Sequence, residues 1–132
     1  PVCAHLGLKP QSVHKIGGYR IQGRDETSAR AMLEDALALE AAGADTVLLE
    51  CVPAGLAREI SDNLNVPVIG IGAGPHCDGQ ILVLQDALGV TSRPPRFARD
   101  FLAHASGIRA AVSDYVEDVR ERRFPGIEQT TE

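Results

Sequence analysis

The stretch Asp45-Thr-Val-Leu-Leu-Glu-Cys-Val-Pro53 does most to restrict what this chain can become. Thr46 to Leu49 read as a strand covered on both faces, as parallel strands are, and Glu50 stands where that strand gives way to a loop. Pro53 suits the opening of a new helix, where its missing N–H costs nothing. In parallel α/β proteins ligands bind at the carboxyl ends of the strands, so an acid placed there is positioned for chemistry more than for structure. Glu50 is therefore the leading candidate for a functional residue.

The same rhythm recurs along the chain. Pro1 to Leu8 form a short apolar stretch that reads as a strand, with His5 near its carboxyl end, the place that Glu50 takes on the next strand. A lone histidine there is either a satisfied structural residue or a group at a site. Lys9 to Arg24 make a long loop in which Val13, Ile16, Tyr19 and Ile21 alternate with glycines, a pattern that favours an ordered binding loop or lid over a flexible connector. Asp25 to Thr27 supply acids and a cap, and Ala29, Met32, Leu33 and Ala36 repeat at helical spacing until Gly43.

After the strand at Ala44 to Cys51, a helix from Pro53 carries Leu56, Ala57, Ile60 and Leu64 as its apolar stripe and stops at Asn65. A third strand, Val66 to Ile71, runs into Gly72-Ala-Gly-Pro75. These glycines lack a following Gly-Lys-Ser/Thr and open no clear helix, so a tight turn close to a bound group fits better than a phosphate cradle. Gly79 to Leu84 read as a fourth strand, with Gln85 and Asp86 either lining a site or beginning a loop. Beyond the connector Thr91 to Arg96 come two helical patterns, one on Phe97, Phe101 and Leu102, the other on Ile108, Val112, Tyr115, Val116 and Val119 with Ser106 as its cap.

Composition narrows the function classes. At 132 residues one core is expected, and the formal net charge of -5, with arginines dispersed or paired with acids, argues against nucleic acid as a partner. No apolar run approaches a bilayer span, and the first residues lack a signal-peptide pattern, so neither membrane nor secretion is expected and the cytoplasm is the expected location. Cys3, Cys51 and Cys77 are an odd number without Cys-x-x-Cys spacing, which points to reduced thiols. A neighbouring carboxylate would raise the pKa of Cys51 and blunt it as a nucleophile.

Strands alternating with helices leave an open doubly wound sheet or a (β/α)8 barrel. Functional-looking residues at the ends of successive strands suit a barrel mouth, but four strands are half of what such a barrel needs. The choice lies between an open sheet and the second half of a barrel.

Pro1-Val-Cys-Ala-His-Leu-Gly-Leu8, Pro10-Gln-Ser-Val13, Gly17-Gly-Tyr-Arg-Ile-Gln-Gly-Arg24, Leu49-Glu-Cys-Val-Pro53, and Pro67-Val-Ile-Gly-Ile-Gly-Ala-Gly74 followed by Asp78-Gly-Gln-Ile-Leu-Val83 stand in an order and spacing that resemble the carboxyl half of ketopantoate hydroxymethyltransferase, from Pro1 to about Gly126. The resemblance implies an α/β fold, the carboxyl-terminal half of a (β/α)8 TIM barrel with C-terminal helices, over residues 1–126, and leaves 127–132 as a loose polar tail. It implies an enzyme of pantothenate biosynthesis, assembled as a decamer, that moves a hydroxymethyl group from methylenetetrahydrofolate to 3-methyl-2-oxobutanoate with a bound Mg2+. Glu50 falls on the family's catalytic proton acceptor and His5 on a residue at the substrate.

The family's Mg2+ ligands and its substrate-binding Lys and Ser belong to the amino half, so no metal ligand is assigned here and the chain alone is expected to be inactive. Its expected partners are the keto acid, the folate, and the missing half-barrel or further copies of itself. The residues suit the chemistry, because enolate formation needs a base aimed at the carbon beside a ketone, and an apolar mouth raises a carboxylate's pKa toward working pH. Three alternatives stay open: Glu50 capping the next helix, a non-catalytic half-barrel subunit, and another Mg2+-dependent barrel enzyme acting on keto acids.

Overall fold

A computed structural model describes residues 1–12, 14, 18 and 20–132. Four parallel strands lie side by side in chain order: β1 (Cys3–Gly7), β2 (Thr46–Glu50), β3 (Val68–Ile71) and β4 (Gly79–Gln80). A doubly wound sheet reverses its strand order at a switch point, whereas this sheet runs 1-2-3-4 without reversal, the succession of a (β/α)8 barrel. The architecture is a half-barrel.

Helix α1 (Glu26–Ala41) crosses from β1 to β2, and α2 (Ala54–Asn63) crosses from β2 to β3. Asp25 caps α1 by accepting the Ser28 N–H at 3.0 Å, and its carboxyl pKa is lowered by the bonds from Ser28. The core fills the space between the sheet and these helices: Val47, Leu49 and Val68 point outward onto Ala36, Ala57 and Ile60, all fully buried. Truncating Leu49 or Ile60 to Ala costs about 2–5 kcal/mol at such positions.

The other face is different. Thr46, Leu48, Glu50 and Ile69 are only half-buried, so the strand expected to be covered on both faces is covered on one, because nothing among the described residues packs against the concave side. That is the side that turns inward in a closed barrel.

Acidic side chains hold the amino ends of the strands. Glu40 accepts the Asn65 and Val66 N–H groups at 2.6 and 2.9 Å, Asp78 accepts Val68 N–H at 2.8 Å, and Asp45 accepts Val2 N–H at 2.5 Å. Each satisfies an amide at the entry to a strand.

The carboxyl-terminal third departs from expectation. The fourth strand stops at Gln80 and does not reach Leu84, since Leu84–Ala87 form a short helix, α3. The Gln80 carbonyl accepts the Tyr115 hydroxyl at 2.9 Å. The pattern on Phe97, Phe101 and Leu102 makes no helix, because the Asp100 carboxylate takes the N–H groups of Leu102 and Ala103, a side-chain turn that competes with helical bonding. Helix α4 (Ile108–Arg120) forms as expected but is capped by Gly107 without a side-chain bond, so Ser106 is not the cap. Phe101, Tyr115 and Phe124 pack edge to face with centroids 5.3–5.7 Å apart, a second core joining α4 to β4.

Residues 127–132, expected as a loose polar tail, carry a 310 turn at Ile127–Gln129, and the Thr131 carbonyl accepts Ala54 N–H at 2.9 Å. Asp86 is buried and accepts the Thr91 hydroxyl, which gives it a structural place. Among the described residues no helix is long and apolar enough to cross a membrane.

Candidate active site

The carboxyl end of β2 is held from three sides. The Glu50 carbonyl accepts Leu8 N–H at 2.8 Å, the Cys51 N–H donates to the Ile71 carbonyl at 2.9 Å, and the Cys51 carbonyl accepts Gln22 N–H at 2.9 Å. Cys51 sits at φ 51, a left-handed conformation that turns the chain sharply right after Glu50. Gly7, at φ 86, lets β1 pass so close that a Cβ there would stand 2.2 Å from the Glu50 carbonyl oxygen. These contacts fix where the Glu50 side chain leaves the backbone.

Glu50 does not cap α2. Pro53 occupies the cap position without a side-chain bond, and the Ala54 amide is taken by Thr131. The neighbour of the Glu50 carboxylate is instead His5: Nε2 lies 3.2 Å from Oε2, with the side chains 28% and 16% exposed. The strands bring together the two residues singled out in the sequence.

The approach is off the line of a hydrogen bond, and among the described residues His5 Nε2 is buried with no aligned partner. An orphaned buried ring nitrogen calls for an explanation, and a group supplied by a ligand is one. Burial pushes the Glu50 carboxyl above the ordinary glutamate value, while His5 beside it pulls part of that shift back. Unlike Glu40, Asp45 and Asp78, the Glu50 carboxylate accepts from no backbone amide among the described residues.

Above Glu50 opens a cavity of about 640 Å³. Its apolar wall is Leu8, Ile21, Val83 and Phe97, and Arg20, Arg24, Arg93 and Arg96 surround it. The arginines were expected to be dispersed or paired with acids; these four converge on the mouth, and among the described residues none has a carboxylate within 4.0 Å. Their pairing in sequence, Arg20 with Arg24 and Arg93 with Arg96, both in loops, is the signal that could have found them.

Gly72 lies close to the Phe97 ring, where a Cβ would come within 2.6 Å, so the expected tight turn is present but packs against protein. Val13, Ile16 and Tyr19 of the expected binding loop lie outside the described residues, while Ile21, Arg20 and Arg24 of that loop line the cavity.

Cys51 also borders the cavity, yet its thiol is pushed up to about 11 by burial and by the Glu50 charge. A thiol so protonated at neutral pH is a poor nucleophile. Among the described residues no three His, Cys, Asp or Glu side chains converge as a metal-ligand set. The described residues therefore offer no such set to a magnesium ion.

Comparison with known proteins matches residues 1–127 to the ketopantoate hydroxymethyltransferase family. The chain is 66% identical over 128 residues to a protein of Halorhodospira halophila named 3-methyl-2-oxobutanoate hydroxymethyltransferase, covering 97% of this chain and 46% of that protein. Proteins of the same name from Alkalilimnicola ehrlichii, 66% identical over 95% of this chain and 46% of that protein, and from Methylobacillus flagellatus, 58% identical over 100% and 51%, are similar to it as well. The chain spans about half the length of the curated relatives it matches.

Proposed function

The chain belongs to the ketopantoate hydroxymethyltransferase family, and on that premise we propose that it supplies the base-bearing half of a barrel that transfers a hydroxymethyl group from methylenetetrahydrofolate to 3-methyl-2-oxobutanoate, yielding 2-dehydropantoate for pantothenate biosynthesis. The observation that carries this reading is the Glu50 carboxylate, beside His5 at 3.2 Å, at the carboxyl end of the central strands under an apolar mouth.

The proton on the third carbon of the keto acid is weakly acidic, and its removal leaves an enolate. In this reading Glu50 takes that proton, and its raised pKa makes it a stronger base than an exposed glutamate. By the same reading His5 serves at the substrate beside the base, its Nε2 3.2 Å from Glu50 Oε2. Four arginines at the mouth give that region a positive potential that favours a keto acid's carboxylate and the anion formed from it. The enolate carbon then bonds to the one-carbon unit of the donor as one of its bonds to folate nitrogen breaks, the hydroxyl of water displaces the second nitrogen, and tetrahydrofolate leaves with two new N–H protons, one from water and one equivalent to the proton taken up by Glu50.

In this reading the chain works joined to the amino half of the barrel, within a homo-oligomer in the cytoplasm. Product formation separates it from other keto-acid barrel enzymes: 2-dehydropantoate should accumulate only when methylenetetrahydrofolate is present, and conversion of the same keto acid to another product without folate would sink it.

A further inference from the structure

Five arginines that have no carboxylate within 4.0 Å among the described residues define a path out of the site. Arg20, Arg24, Arg93 and Arg96 surround the cavity over Glu50. Arg24 and Arg96 also line an adjoining cavity of about 700 Å³, to which Arg122 contributes. Arg122 stands at φ 56 just past the end of α4, while the next residue, Arg123, is held by Asp118 and Glu117. The carboxylate side chains on the two walls are Glu50 at the inner end and Glu132 at the outer end.

In a chain of net charge -5, gathering these five arginines along one groove concentrates positive potential where the rest of the surface is acidic. Guanidinium groups recognise carboxylates and phosphates in forked pairs. The inner cavity adds a wall of Leu8, Ile21, Val83 and Phe97, suited to a flat ring. A ring at one end and several anions strung out from it is the shape of a folate carrying a γ-linked chain of glutamates.

We propose that Arg24, Arg96 and Arg122, continuing outward from Arg20 and Arg93, form a track that holds the oligoglutamate tail of the one-carbon donor. This rests on the hydroxymethyl-transfer reading above and specifies which form of the donor the site favours. Arg96 is steadied for this by its Nε donating to the Glu128 carbonyl at 3.3 Å.

The test is equilibrium titration of the full chain, and of the chain joined to a relative's amino half, with tetrahydrofolate bearing one or five γ-linked glutamates. Tripolyphosphate serves as a plain anion probe. The pentaglutamyl form should bind at least about tenfold tighter than the monoglutamyl form, as two or more charge-assisted contacts imply. That gain should shrink as salt is added, vanish in the double variant Arg24→Gln/Arg96→Gln, and persist in Arg109→Gln on α4.

Equal affinity for the two forms, or a gain that survives the double variant, overturns the track. Tripolyphosphate binding as tightly as the pentaglutamyl folate overturns the assignment to a folate tail. The two readings fail separately: equal affinities with Glu50-dependent proton exchange intact remove the track alone, whereas absent exchange with the pentaglutamyl gain intact removes the transfer reading.

Discussion

His5 Nε2 and Glu50 Oε2 stand 3.2 Å apart on neighbouring parallel strands, although in the register His5 faces Leu48 and Glu50 faces Gly7. The contact is diagonal, on the concave face that the helices leave open, and it puts an imidazole beside a carboxylate that no backbone amide among the described residues uses. Glu50→Gln keeps the shape and removes the base. In the completed barrel, proton exchange on the keto acid should fall on the order of 10²–10⁴-fold. Denaturant unfolding should show stability unchanged or slightly raised at neutral pH. A clear loss of stability with exchange per folded molecule preserved would mean that Glu50 is structural.

The raised Glu50 pKa sets a sign for pH dependence. Burial favours the protonated form in the folded state, so the stabilising contribution is fully present below the ordinary glutamate value of 4.5 and is lost as pH rises through the raised value. Wild type and Glu50→Gln should therefore be closest in stability below that value, with wild type falling behind as pH increases. Exchange activity should run the other way, rising along an acid limb centred above 4.5. Parallel unfolding curves and rate profiles across pH check both, and an acid limb at or below the ordinary value contradicts the burial argument.

Gly7 couples backbone to site. A methyl group at this position meets the Glu50 carbonyl oxygen at 2.2 Å and Val52 at 2.8 Å, on top of the strain of φ 86. Gly7→Ala should cost about 1–3 kcal/mol and also lower exchange, because β2 must shift where Glu50 departs. Gly43→Ala, at φ 97 with nothing within 4 Å of the added Cβ, should carry backbone strain alone and leave exchange per folded molecule unchanged. Equal effects of the two on exchange would contradict the close packing of β1 on β2.

The three thiols should separate by reactivity. Cys51 and Cys77 are pushed up to about 11, chiefly by burial, while Cys3 is exposed. At neutral pH iodoacetamide should label Cys3 first, as read by peptide mass spectrometry, with Cys51 and Cys77 lagging. Preferential labelling of Cys51 would reopen it as a nucleophile.

The strand-helix rhythm was legible because Thr46 to Leu49, Val68 to Ile71 and the stripe on α2 follow their periods closely. That His5 and Glu50 lie on neighbouring strands, Glu50 at a carboxyl end, was legible from the same strand periods. Three things were hidden. The openness of the concave face depends on what packs there, which no local pattern encodes. The false helix at Phe97 to Leu102 has the right spacing, but the Asp100 carboxylate captures the amides that the helix would use. The arginine mouth joins residues about 70 positions apart in the chain, a tertiary convergence that composition averaged away under a net negative charge.

The most direct measurement is exchange of the proton on the third carbon of 3-methyl-2-oxobutanoate in heavy water, followed by NMR without folate, for the chain alone and joined to the amino half of a relative. Exchange should appear in the joined sample, be absent from the chain alone, and vanish with Glu50→Gln. A joined sample that is folded and associated yet exchanges no proton, or exchanges it equally well with Glu50→Gln, would contradict Glu50 as the base.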